Sequence, residues 1–162
     1  MSTVLSACWR TLARVKATIA AAAAALTLLA GGAQAASRPA DEQAKVEIVI
    51  DKSKQTMTVY VGGEKRHEWR VSTGRAGYAT PSGTFRPSSM HKMAISVKYG
   101  NTPMPHSIFF TSVGHAIHAT TAVRQLGRVA SHGCIRLSPA NAAALYALAQ
   151  QMGLANTRIR IV

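Results

Sequence analysis

Acidic residues run out early in this chain. Six Asp and Glu stand against nineteen Lys and Arg in 162 residues, a formal net charge of +13. None of the six lies beyond Glu68. A histidine doing proton chemistry in the C-terminal half therefore has no carboxylate from that half to orient it. Cysteine is scarcer still, with only Cys8 and Cys134. No HExxH pair occurs and no second cysteine accompanies Cys134. A zinc site built from His118, His132 and Cys134 would thus be short of its usual ligands, and neither metal nor other cofactor is expected. After Ala36 no block of five or more Lys/Arg appears, so the basic excess reads as a spread field and not a binding arm.

Long apolar runs are also missing, with one exception near the start. Ala17 to Ala30 is alanine-rich, follows Arg10, Arg14 and Lys16, and precedes Ala33-Gln34-Ala35. A basic n-region, a short apolar core and a small-x-small site are the marks of an export signal. The run falls short of the roughly 20 residues that span a bilayer. Residues 1–35 are read as a signal peptide, 36–45 as a linker and 46–162 as one domain. Leu5-Ser6-Ala7-Cys8 resembles a lipoprotein box, but Cys8 is assigned to the discarded leader. Removing three basic residues leaves 16 Lys and Arg against 6 acids, about +10. Such a domain favours anionic partners; export to the periplasm or cell envelope argues against nucleic acid. A single remaining cysteine excludes an intramolecular disulfide.

Along the mature part, Val46–Ile50 and Thr56–Val61 read as β-branched strands. Gly62-Gly63 reads as a hairpin turn, and a third strand as covering about His67 to Ser72. Gly74, Gly77, Pro81 and Gly83 mark a loop crossing the active-site face. Further strands fit Ile108–Thr111, Gly114–His118 and Thr157–Val162. Ser138-Pro139 predicts a helix start, serine as N-cap and proline at N1. Its core face would carry Ala142, Leu145, Tyr146, Ala149 and Met152, with Gly153 ending it. The expected fold class is mostly β with one or two helices.

The densest chemistry lies in Ser131-His132-Gly133-Cys134-Ile135-Arg136, with His118 thirteen positions before Ser131. A thiol attacks carbonyl carbon as thiolate, and a nearby imidazolium lowers its pKa of about 8.5 by several units. A lone cysteine with histidines elsewhere is the usual trace of a cysteine nucleophile. Cys134 is the expected nucleophile and His118 the base, forming a thiolate–imidazolium pair. Gly133 permits a tight turn. The N–H groups of His132, Gly133 and Cys134 are candidate oxyanion donors, worth about 3–4 kcal/mol each. His115 is a weaker base candidate: in an extended segment positions 115 and 118 point to opposite sides, so only one would face Cys134. Arg136, on the face of Cys134, could pair with a substrate carboxylate. A buried inert thiol is the bland alternative, but polar and basic neighbours suit an exposed niche.

Ile117-His118-Ala119-Thr120 followed by Gly127 through Leu137 closely resembles the L,D-transpeptidase catalytic domain family (YkuD-type). That family's signature is a histidine, a spacer and Ser/Thr-His-Gly-Cys. Val71-Ser72-Thr73-Gly74, Thr80-Pro81-Ser82-Gly83-Thr84-Phe85 and Met104-Pro105-His106-Ser107-Ile108-Phe109-Phe110 resemble its upstream stretches. Two positions depart: Ala119 stands where relatives often have Gly, and His106 where they often have Tyr. The resemblance implies an L,D-transpeptidase-like β-sandwich or barrel. It also implies a carbonyl, here that of Ala119, orienting His118, and pocket roles for Ser131, His106 and Arg136 toward substrate. The implied donor is a peptidoglycan tetrapeptide stem, acylating Cys134 with loss of D-alanine. The implied acceptor is a stem amine, a lysine on an outer-membrane protein, or water, and carbapenems would acylate the same sulfur. The protein is expected to act as a monomer. A hydrolase of cross-links and a silent wall-binding domain are the competing readings.

Overall fold

The computed structural model describes residues 45–162. The proposed leader, its cleavage site, Cys8 and nearly all of the linker lie outside the described residues. Alternation does most of the work in the first sheet. β1 (Val46–Asp51) buries Val46, Ile48 and Ile50 and turns Glu47 and Val49 outward. β2 (Thr56–Val61) buries Met57 and Val59. Between them Asp51 Oδ1 accepts from the N–H groups of Ser53 (2.9 Å) and Lys54 (3.0 Å), closing the turn. Gly62 and Gly63, at φ 59° and 86°, supply the left-handed backbone of the next hairpin. It leads into β3 (Glu64–Arg70). This third strand begins three residues before the expected His67, because the two-residue turn sets its register directly.

The remaining strands are β4 (Gly83–Phe85), β5 (Ser89–Ser96), β6 (Thr102–Phe109), β7 (Ala116–Ala119), β8 (Ile135–Leu137) and β9 (Thr157–Ile161). They form a five-stranded sheet, β3-β2-β1-β9-β4, and a four-stranded sheet, β5-β6-β7-β8. β1 with β9 and β7 with β8 are parallel; the other pairs are antiparallel. One apolar cluster joins them, taking Ile48, Ile50, Ile159 and Ile161 from the first sheet. Ile108, Ile117, Ile135 and Leu137 come from the second. This is a mostly β architecture with one α-helix among the described residues, in line with the expected class.

Two further strands sit differently from the sequence expectation. β6 begins at Thr102 and ends at Phe109, instead of spanning Ile108–Thr111. Pro103 and Pro105 disguise it. They are tolerated because β7 pairs with β6 only at Ile108 and Phe109, so the proline stretch is laddered on one side alone. β7 begins at Ala116, not Gly114, since Gly114 at φ 93° belongs to the preceding turn.

α1 (Pro139–Met152) starts as expected. Ser138 Oγ accepts from the Asn141 N–H at 3.3 Å, and Pro139 opens the helix where a missing N–H costs nothing. Ala142, Leu145 and Ala149 are buried, with Tyr146 and Met152 partly buried against the same cluster. Gly153, at φ 85°, ends the helix and its N–H closes on the Ala149 carbonyl. α1 packs against β6 and β7, so it backs the strand that carries His118. Leu145→Ala should cost about 3 kcal/mol, the usual loss for a fully buried leucine. It would be read as a lower urea midpoint with an unchanged m-value.

Candidate active site

Parallel pairing of β7 with β8 places the chemistry. Ile117 pairs with Ile135 and His118 with Arg136. One step earlier, Cys134 comes beside Ala116. Side chains alternate along a strand, so Ile117, Ala119, Ile135 and Leu137 go to the core. Cys134, Arg136 and His118 share the other face. These three line one cavity of about 140 Å³, together with Tyr99, Met104 and His132. A neighbouring cavity of about 530 Å³ also reaches His118 and Arg136, and adds His106 and Ala119. Among the described residues no group of three or more His, Cys, Asp or Glu could hold a metal ion.

His118 is 6% exposed. Its Nδ1 lies 2.7 Å from the Ala119 carbonyl oxygen. A carbonyl only accepts, so Nδ1 carries the proton and Nε2 keeps its lone pair. Burial lowers the imidazole pKa to about 4; the Ala119 bond works against this, and the Arg136 charge adds to it. Burial raises the Cys134 thiol. A hydrogen bond from the Ala116 backbone, which favours thiolate and so comes from its N–H, opposes that rise, as does Arg136. Both dominant shifts disfavour charge. Taken singly, each group is pushed toward its uncharged form, against the thiolate–imidazolium pair expected from the sequence. Desolvation of both groups in a narrow cavity is the cause.

Ser131 corrects a second expectation. It is fully buried, so its side chain does not line a substrate surface. Instead its Oγ donates to the Cys134 carbonyl (2.5 Å) and accepts from the Gly133 N–H (3.1 Å). Its backbone N–H reaches Thr73 O at 2.9 Å, and its carbonyl accepts from Arg75 N–H at 3.0 Å. Ser131 is the pin of the nucleophile loop. Because the Gly133 N–H is engaged by Ser131, the N–H groups of His132 and Cys134 are left as the candidate oxyanion donors. Gly133 has another reason to be glycine. At φ 108°, an added Cβ would sit 2.8 Å from the His115 ring.

His132 is not placed as a base. Its Nε2 lies 2.6 Å from Arg75 Nη2; a guanidinium only donates, so Nε2 accepts. The ring stacks on Tyr99 (4.6 Å between centroids) and meets the Tyr78 ring edge-on at 4.7 Å. It lines the cavity that holds Cys134 and His118. Arg136 donates to Gln125 Oε1 at 3.2 Å and lines both cavities. His106 adopts φ 53°, lines the larger cavity and packs against Tyr146 at 5.5 Å. His67 and His91 are exposed. His115 directly precedes β7, its carbonyl accepting from the Phe110 N–H, and it lines a third cavity, about 280 Å³, in which Cys134 also takes part.

Sequence reasoning missed Arg75, Tyr78, Thr80 and Tyr99. Thr80 Oγ1 accepts from the Gly74 N–H (2.9 Å) and donates to the Gly133 carbonyl (2.8 Å), tying the loop before β4 to the nucleophile loop. Gly74 must be glycine there, since a Cβ would lie 1.8 Å from the Tyr78 carbonyl oxygen. The signals in the chain were the Gly/Pro-rich stretch marking that loop and the family-like run that begins at Thr80.

The chain matches the family model of the L,D-transpeptidase catalytic domain, YkuD, over residues 45–161. It belongs to that family. No curated protein matches the chain. Among solved structures it is similar to the LD transpeptidase LdtMt1 in complex with imipenem (24% identity, TM-score 0.67). That match covers 73% of this chain and 59% of that one. An L,D-transpeptidase from Mycobacterium smegmatis is 28% identical at TM-score 0.66, over 73% and 58%. One from Mycobacterium tuberculosis is 26% identical at TM-score 0.64, over 73% and 57%. The chain thus spans less than three fifths of the length of these structures. The mostly β fold read from the sequence is the fold of these neighbours.

The buried imidazole makes a stability prediction. Unfolded histidine binds a proton below about pH 6.5, whereas folded His118 stays neutral down to about 4. The unfolded state therefore takes up the proton first, and stability falls as pH is lowered across that window. The loss is on the order of 3 kcal/mol, complete near pH 4, from about 1.4 kcal/mol per unit. Urea midpoints of wild type and His118→Gln, followed from pH 7 to 4, should diverge in slope over that window.

Proposed function

We propose that this chain is a peptidoglycan L,D-transpeptidase whose nucleophile is Cys134. The observation that carries the reading is the shared cavity of Cys134 and His118, with the Ala119 carbonyl holding the imidazole in the tautomer that leaves Nε2 basic. Because each group is pushed toward its uncharged form, proton transfer from sulfur to Nε2 accompanies attack on the carbonyl carbon instead of preceding it. The carbonyl oxygen becomes an oxyanion beside the His132 and Cys134 N–H groups. Protonated His118 then gives its proton to the departing amine of D-alanine, leaving a thioester. An acceptor amine resolves it to an amide.

The larger cavity beside His118 is mostly apolar but holds His106 and Arg136. It suits the donor stem, with Arg136 as the cation for a stem carboxylate. A stem amine as acceptor gives a 3→3 cross-link, a lysine of an outer-membrane protein gives anchoring, and water gives carboxypeptidase activity. Residues 1–35 serve in this reading as the export signal that delivers a monomeric enzyme to the periplasm.

Intact-protein mass spectrometry with imipenem tests the acyl-enzyme. Wild type should gain one adduct, mapped to Cys134, and Cys134→Ala none; an unmodified wild type would sink the proposal. The acylation rate should hold down to about pH 4, where His118 takes up a proton. A loss centred near 6.5 would contradict the buried-base geometry. Incubation with tetrapeptide stems should yield dimers; tripeptide without dimer would identify the hydrolase.

A further inference from the structure

Cys134 has an imidazole on each side along the strand. Ala116 lies beside it, His115 is one residue before Ala116 and His118 two residues after. The cavity of about 140 Å³ holds His118 and not His115; the cavity of about 280 Å³ holds His115 and not His118. Both include Cys134, His132, Tyr99 and Met104. Cys134 therefore lines two adjoining spaces, each with its own histidine.

His115 is built into its place. Its backbone N–H donates to Thr111 Oγ1 at 3.0 Å, and its Nδ1 lies 3.0 Å from the same oxygen. Its Nε2–Cδ2 edge faces Gly133, the residue before the nucleophile, so closely that a methyl group there would be 2.8 Å from both atoms. The contrast with His118 is in the partner. A carbonyl pins His118 to one tautomer, whereas a hydroxyl both accepts and donates. His115 can therefore carry its proton on either nitrogen, as a group that takes and returns protons must. Burial first, and the Lys98 charge second, hold its pKa below the ordinary value, so it is neutral and basic near pH 7.

We propose that His115 is the proton acceptor for the second substrate, taking up the amine proton on the side of Cys134 away from His118. The inference rests on the acyl-enzyme reading above. Once the thioester has formed, the acyl chain still occupies the space on the His118 side, and the His115 cavity is the other approach to the same carbon. The amine nitrogen attacks there, forming the C–N bond while its proton passes to His115 Nε2. The C–S bond then breaks, and His115 returns the proton to the departing Cys134 sulfur. Atoms and charge balance with no further reactant. Lys98 lines the same cavity and gives a positive rim to an acceptor bearing a carboxylate beside its amine.

The experiment separates the two half-reactions of the full-length protein on a tetrapeptide stem. The burst of D-alanine release reports acylation, and dimer or tripeptide formation from the accumulated thioester reports its resolution. In His115→Gln the ratio of second-step to first-step rate constants should fall at least tenfold, with thioester accumulating on Cys134 by mass. The acid limb of the second step should also disappear from its pH profile. Thr111→Val, which keeps the ring but removes its partner, should lower the same ratio less and shift that limb. Equal losses in both steps would mean that His115 only props the Gly133 turn, and an unchanged ratio would remove it from the reaction; either result overturns the proposal. Absence of any D-alanine burst or imipenem adduct on wild type would instead indict the Cys134 reading.

Discussion

The register between β7 and β8 is the constraint on which this molecule depends. A parallel pair needs a long crossover, and here residues 120–134 make it with only a short 3₁₀ turn at Val123–Gln125. Pairing His118 with Arg136 brings Cys134 beside Ala116 and keeps all three reactive side chains on one face. A slip of one residue would turn every side chain of the short β8 to the opposite face, sending Cys134 into the core and Ile135 into the cavity. Several bonds hold that register. Ser72 exchanges backbone bonds with Arg136 (3.1 and 2.9 Å), Ser131 is tied to Thr73 and Arg75, and Thr80 holds the Gly133 carbonyl.

Electrostatics in the site follows from the lack of carboxylates. With none after Glu68, the imidazole is oriented by a peptide carbonyl, a partial charge and not a full one. Burial pushes the imidazole toward its neutral form and Arg136 adds to this, and the Ala119 carbonyl offsets them only in part. A neutral pair also spares the fold a desolvated ion pair, whose dehydration cost can exceed its Coulombic gain. The described carboxylates lie on β1 (Glu47, Asp51) and β3 (Glu64, Glu68); they pair with Arg160 of β9, Lys54, Arg66 and Lys65, respectively. The half bearing the cysteine is left with a basic field and no carboxylate.

Legibility tracked local pattern. β1, β2, α1 and β9 were readable because alternation or a capping sequence lies within each segment. β5 was not. It is an edge strand with Met93, Ile95 and neighbouring Val97 exposed, so its hydrophobic pattern does not report a core. β4 and β8 have three residues each, too few to show a period. In the site, the histidine and cysteine motifs announced themselves. Tyr78 and Tyr99 did not, since they come from connecting segments with no spacing relation to Cys134. Ser131 was read as a pocket residue and lies buried as a pin, because a motif records adjacency along the chain and not exposure.

Two kinds of information are thus separable in this protein. The sequence by itself determined which groups are available for chemistry: one cysteine and several histidines in the C-terminal half, with no carboxylate among them. It also determined the strands and the helix whose patterns are local. Only the tertiary structure decided the burial of Cys134 and His118, the tautomer of His118 and the placing of His115 and His118 in different cavities that share Cys134. Those properties depend on burial and on partners brought together from distant segments, and neither is encoded within any single stretch of chain.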